Sequence, residues 1–391
     1  MTSTSLWLSA LLLLVVVGES AHVRLAAQAG VSPIASAAAM AFMLSLPTDA
    51  PLPGFGTVVA GLLAVLVATL VGSAVAGAIG LPTTPSDLVG RMTNATAVGV
   101  LAMLLATSQL ERDTGPPDRW IYALALWLVT LAAATARAMV LSLWTARVER
   151  RVFAVVLQDE VATFGMVSLA IATTSVTIVL SRDALGLWAP LFFSLPLALT
   201  FAAARRYAQT RETYRETIVA LARLTDIAGY TTTDHARRVA DLSVALARMR
   251  GLPQREIDTI EYAALLHDLG QVVLDEPIPG GATVLAAPRD QERLARDAVE
   301  IVRYSGVNED AARVMALQAT PFRLMQEDNE RIPLGSRIIK LANALDDLSA
   351  GSREPGAVSV ALERIQLGLG YEYDPDLVDD LIRLLSVRRV S

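Results

Sequence analysis

Cysteine is absent from this 391-residue chain, and histidine occurs three times, as His22, His235 and His267. The first absence excludes disulfides, thiolate metal ligands and cysteine nucleophiles. The second leaves any imidazole chemistry few residues to draw on. Lysine is rarer still: Lys340 stands alone against 32 arginines, a bias that suggests a GC-rich genome rather than a chemistry. Charge is scarce over the first 203 residues, which hold 9 Lys/Arg and 10 Asp/Glu, whereas the remaining 188 hold 24 and 29. The length suits two or three domains, and the charge distribution predicts an apolar membrane part followed by a globular part, with a junction near Arg205-Arg206. The mildly acidic balance of the second part disfavours a nucleic-acid partner.

What is present in the first part is a series of apolar segments: Leu6 to Gly18, Val31 to Leu46, Val58 to Ile79, Thr93 to Thr107, Trp120 to Leu143, Val161 to Leu180 and Leu187 to Ala203. A span needs about 20 residues, so the first, second and fourth are short unless flanking residues are recruited. Seven spans is the count expected for a helical membrane domain over residues 1–204; six is the alternative. The first segment has no basic residue ahead of it, unlike a signal peptide, and reads as a retained span. Basic residues collect on the cytoplasmic side of short loops. Seven spans with an external N-terminus place Arg24, Arg91, Arg147, Arg150, Arg151, Arg205 and Arg206 inside, which makes the globular part cytoplasmic. The polar turn Glu111 to Asp118 then lies outside. Arg137 and Asp159 are each 11 residues from Val148, so they are expected at similar depth and as an ion pair, because an unpaired charge in a span costs about 2.5 to 3.5 kcal/mol.

Residues 205–229 read as a connecting helix that ends at Gly229. Tyr207, Tyr214 and Leu221 repeat every seven residues, with Thr210, Thr217 and Leu224 in the companion register. That is a weak coiled-coil seam, open to a homodimer through the 205–228 helix or to packing on the chain's own domain. Residues 230–391 show helical period throughout and no competing strand pattern, predicting an all-α bundle of about seven helices. Within it, Asp374-Pro375 reads as a helix start, with Asp as the cap and Pro at the first helical position.

The chemistry-bearing feature is the doublet His267-Asp268, at the end of the apolar run Ala263 to Leu266 and 32 residues after His235. An isolated His-Asp doublet is usually a satisfied polar pair at a helix end. Here it falls within an ordered series: Asp234-His235-Ala-Arg-Arg-Val-Ala, then Ala-Ala-Leu-Leu-His267-Asp268-Leu-Gly, then Ser336-Arg-Ile-Ile-Lys-Leu-Ala-Asn343-Ala-Leu-Asp346, and last Gly370-Tyr-Glu-Tyr-Asp-Pro-Asp-Leu-Val. In that order and spacing, residues 215 to 385 resemble the HD superfamily of metal-dependent phosphohydrolases, and more closely its HD-GYP branch. The multi-span first part resembles the membrane sensor regions ahead of some bacterial HD-GYP domains.

The resemblance implies a divalent metal, Fe, Mn, Mg or Zn, that activates water for attack on a phosphoester. By position its ligands would be His235, His267 and Asp268, with Asn343 in the place of a distal aspartate. Asp346, one turn further on, would compensate only if the helix is rotated. The departures are as informative. The lysine expected after the doublet is Gln271. The accessory histidines of the HD-GYP branch fall on the Leu294 to Asp297 region and on Gln318-Ala319, and the Gly-Tyr-Pro loop is missing between Thr320 and Pro333. The reading that follows is a membrane-anchored signalling protein that binds a nucleotide or a partner protein, with catalysis lost. The alternatives are an active phosphodiesterase acting on cyclic di-GMP or another nucleotide, with Asp268 catalytic, and a membrane receptor or transporter whose globular part is structural.

Overall fold

The structure, a computed structural model, describes residues 3–20, 23–26, 29–46, 55–80, 84–107, 119–149, 151–278, 281–304, 309–327 and 329–388. The turn expected outside the membrane, 111–118, lies beyond them. The chain divides into two compact units, Met1–Arg211 and Glu212–Ser391.

The first unit is helical apart from one short ribbon. Its helices are α1 (Ser3–Glu19), α2 (Pro33–Leu44), α3 (Phe55–Ala78), α4 (Pro85–Thr107), α5 (Arg119–Val148) and α6 (Phe153–Leu180), followed by α7 (Trp188–Ile227), which begins in this unit. Strands β1 (Val23–Ala26) and β2 (Ala29–Val31) pair antiparallel between α1 and α2. Every expected apolar segment is a helix, but among the described residues five, α3 to α7, are long and apolar enough to cross a membrane. The first two fall short, at 17 and 12 residues. α3 has no charged residue, and large side chains such as Leu63, Val67, Leu70 and Val71 face outward from it, as suits lipid surroundings. Inside, Trp7, Leu11 and Val15 of α1 pack with Ala38, Met40 and Phe42 of α2.

Among the described residues, charges on these helices form ion pairs, though not as the sequence suggested. Arg137 pairs with Glu160 at 3.1 Å, and Asp159 pairs with Arg151 at 2.8 Å. Equal depth along two helices does not fix which way each residue faces, and the helical rotation of one residue brings Glu160 rather than Asp159 round to Arg137. Arg91 is not a loop residue: it lies within α4, buried, paired with Glu19 of α1 and donating to Ser32 Oγ at 3.1 Å.

The second unit contains the end of α7, then α8 (His235–Met249), α9 (Gln254–Leu266), α10 (Pro288–Tyr304), α11 (Glu309–Ala316), α12 (Leu334–Leu348), α13 (Pro355–Leu367) and α14 (Pro375–Arg388). Short 3-10 turns lie at Leu269–Val273 and Thr283–Leu285. Its core is assembled from helix faces spaced by three and four residues: Val239, Leu242 and Leu246; Ile257 and Ile260; Ile338, Leu341 and Leu345; Leu377 and Leu381. At the start of α14, Asp374 Oδ1 accepts the Asp376 N–H at 3.0 Å. α7 stops short of Gly229, whose φ of +77° is a left-handed turn that glycine adopts without strain. The last turns of α7 pack on this unit. Ile218 and Ala222 join its core, and Tyr214 meets Tyr262 edge-on with ring centres 5.9 Å apart. Tyr214 and Leu221 therefore face the domain, whereas Thr210, Thr217 and Leu224 are exposed.

Candidate metal centre

Three helices deliver the site. His235 is the first residue of α8, entered through Asp234 at φ +59°, and Asp226 holds that entry by accepting the Asp234 N–H at 2.8 Å. His267 and Asp268 follow directly on α9, where the buried run Ala263 to Leu266 carries them into the interior. The chain then turns tightly at Gly270, where a Cβ would stand 2.1 Å from the Leu294 carbonyl of α10, so this close approach admits no side chain. α12 contributes Asn343, Asp346 and Asp347, which share one side of the helix at spacings of three and four. His235, His267 and Asp268 are buried, at 2%, 3% and 5% exposure.

Each imidazole is held by its Nδ1. His267 Nδ1 donates to the Ala264 carbonyl at 2.8 Å, and His235 Nδ1 to Asp346 Oδ2 at 2.8 Å. Asp346 is itself gripped by Arg238, whose Nε and Nη2 donate to its two oxygens at 2.7 and 2.8 Å. Fixing the Nδ1 protons turns both Nε2 atoms toward one point, where they stand 3.4 Å apart. Asp268 Oδ2 lies 3.1 Å from one and 3.3 Å from the other, in neither case aligned for a hydrogen bond. Asn343 Oδ1 lies 3.2 Å from His267 Nε2. Its amide is oriented by Thr283, whose Oγ1 accepts from Nδ2 at 3.0 Å.

These donor atoms fit a metal ion. Bonds of about 2.0 to 2.2 Å place neighbouring ligand atoms about 3.0 to 3.5 Å apart, and the spacings above fall in that interval. The electrostatics agree. Burial opposes a charge on His235, yet the adjacent Asp268 carboxylate and the hydrogen bond to Asp346 outweigh it and push its pKa up to about 10. Burial acts to raise Asp268, but the charges of His267 and His235 hold it below the ordinary carboxylate range. Asp346 is held low in the same way, against burial, by His235 and Arg238. The pocket between the two Nε2 atoms and the carboxylate is one that stabilises a positive charge.

Of the residues expected from sequence, His235, His267, Asp268 and Asn343 are brought together. Asp346 is not among them: it faces the far side of His235 and orients the ring. Gln271 is fully buried beside Asp268, and Gln318 donates to the His267 carbonyl at 2.8 Å. Sequence reasoning missed Thr283, Arg238 as the partner of Asp346, and Asp347. The last lies 3.8 Å from His235 Nδ1 and accepts the Val284 N–H at 3.1 Å; burial, with the Asp268 carboxylate adding to it, pushes its pKa up to about 7. The spacing of Arg238, three residues after His235 on the same helix, was a usable signal; Thr283 lies on a distant loop and offered none.

Residues 232–348 match the HD domain family. The chain is 28% identical over 207 residues, 48% of its length, to the 3'3'-cGAMP-specific phosphodiesterase 2 of Vibrio cholerae. It is also 28% identical over 188 residues, 45% of its length, to the cyclic di-GMP phosphodiesterase response regulator RpfG of Xanthomonas campestris. It spans 38% and 49% of the lengths of these two relatives. No solved structure matches the chain.

Proposed function

We propose that this chain, which carries an HD domain over residues 232–348, is a membrane-anchored signalling protein. Its domain holds one divalent metal ion and binds a phosphate-bearing nucleotide without turning it over. The observation that carries the reading is the donor set itself: two imidazoles, one carboxylate and one neutral amide oxygen at coordination spacing. A divalent ion bound there would neutralise phosphoryl charge and lower the pKa of water. His235 and His267 present lone pairs to it, Asp268 supplies the single negative charge, and Asn343 completes the set with a dipole where a carboxylate would add a second charge. Gln271, in the place of a phosphate-binding lysine, offers no charge to a substrate. The five long apolar helices support the anchoring, and the domain faces the cytoplasm in this reading. The exposed Thr210, Thr217 and Leu224 of α7 are its route to a homodimer.

The names of the two relatives supply the ligands to try. The purified chain, loaded with Mn2+ or Fe2+, is titrated with cyclic di-GMP and 3'3'-cGAMP and the mixture analysed for products. Binding without product is expected. The intact positions of His235, His267 and Asp268 favour a second reading, a one-metal hydrolase, and turnover that disappears in both His267→Ala and Asp268→Ala would replace the first reading with it.

A further inference from the structure

The chain's only lysine is not at the surface. Lys340 lies on α12 one turn before Asn343, with its side chain 11% exposed. Residues three apart on a helix are neighbours, so Lys340 flanks the amide ligand of the metal centre. A second route leads to the same place: Lys340 Nζ donates to the Ala319 carbonyl at 3.1 Å, while the preceding residue, Gln318, donates to the carbonyl of His267. Lys340 is thus linked to the His267 backbone through Ala319 and Gln318, and it stands three residues before Asn343 on α12.

A buried ammonium is costly unless its hydrogen bonds are well satisfied, and here its charge partner is shared. Glu372 Oε2 accepts from Lys340 Nζ at 2.7 Å, while Glu372 Oε1 lies 3.5 Å from Arg323 Nη1. Arg323 also has Glu327 at 3.7 Å, an exposed pair of the kind worth little. Glu372 itself is 36% exposed, far more than the lysine it covers. Its segment is held independently of the carboxylate, since the Phe322 and Arg323 N–H groups donate to the Glu372 and Tyr371 carbonyls at 3.2 and 3.0 Å. The side chain of Glu372 can therefore swing away while the loop stays in place.

From this we infer that Lys340 is the phosphate-contacting cation of this site, with Glu372 as a carboxylate stand-in that a phosphoryl oxygen displaces. The inference rests on the nucleotide-binding reading above and gives a role to Lys340, which lies within the Ser336 to Asp346 motif without one. It also accounts for a neutral Gln271: the positive charge is supplied from α12, the helix that carries Asn343.

Isothermal titration of the Mn2+-loaded full-length protein with pyrophosphate and with cyclic di-GMP, alongside metal analysis, tests it. Lys340→Met is expected to keep its metal and to bind both probes about tenfold more weakly, the loss of one charge-assisted contact. Lys340→Arg is expected to restore most of the affinity, and Glu372→Gln to bind a few-fold more tightly than wild type because the competing carboxylate is gone. Equal affinity in Lys340→Met and wild type would overturn the inference. Should Lys340→Met misfold or lose metal, Glu372→Gln decides: tighter binding supports a displaced carboxylate, and unchanged or weaker binding makes Glu372 a clamp and overturns it. Wild-type protein that holds metal but binds neither probe defeats the inference and leaves the metal centre standing. Binding of pyrophosphate through Lys340 without metal would defeat the single-metal reading and leave the inference intact.

Discussion

At the scale of single residues, the tautomers of His235 and His267 are set by neighbours rather than by the rings. Asp346 and the Ala264 carbonyl each take an Nδ1 proton, which commits both Nε2 atoms to the same point. Asp346→Asn weakens that commitment at His235 and is expected to lower metal affinity by about 10- to 100-fold with the fold retained, measured by competition with a chelating dye. Asn343→Asp adds a negative charge to the set and is expected to tighten metal by about tenfold. A pH dependence follows from His235. Its folded pKa, about 10, lies above its ordinary value of 6.5, so in metal-free protein the stabilisation from its charge is complete below 6.5 and fades as pH rises through about 10. Metal competes with that proton, so affinity for metal should rise with pH across the same interval; a flat profile by calorimetry would contradict this. The triad His235, His267 and Asp268 was legible because two scarce histidines stood in an ordered run of motifs. Asp346 was legible as a residue but not in its role, since spacing along α12 does not say which side of an imidazole a carboxylate will meet.

Elements are where periodicity speaks most clearly. The expected helices of the second unit are present because their apolar residues recur at three and four, and Asp374-Pro375 opens α14 as its chemistry requires. Periodicity could not decide between partners for the end of α7, where the two companion registers looked alike; Ile218 and Ala222 in the core of the second unit give one face to the chain's own domain. Ile218→Ala should therefore cost about 2 to 5 kcal/mol on denaturation of the second unit, whereas a helix free of its domain would tolerate it. The 3-10 turn after the doublet is a tighter constraint. Gly270→Ala would drive a methyl group into the Leu294 carbonyl, 2.1 Å from the Cβ position, and is expected to lower stability by several kcal/mol and to displace Asp268 with it. In the first unit, depth was readable and facing was not, which is why Arg137 was matched to Asp159 instead of Glu160.

For the whole molecule, composition alone separates an apolar part from a charged one near Arg205-Arg206, and the chain's two compact units meet at Arg211 and Glu212. The number of spans was less accessible: seven apolar segments are helices, yet among the described residues five reach spanning length, because flanking residues lengthen α4 to 23 residues but α1 only to 17, and α2 has 12. Protein expressed in bacteria should sediment with membranes, resist alkaline carbonate, and dissolve in detergent; release by carbonate would argue against anchoring by these helices. The central proposal for the domain that matches the HD family over residues 232–348 is that it holds one metal ion. Elemental analysis of the detergent-purified full-length protein, after dialysis against metal-free buffer, tests it most directly. One transition-metal ion per chain, absent from His267→Ala, is expected; wild-type protein free of metal, or carrying two ions per chain, would contradict it.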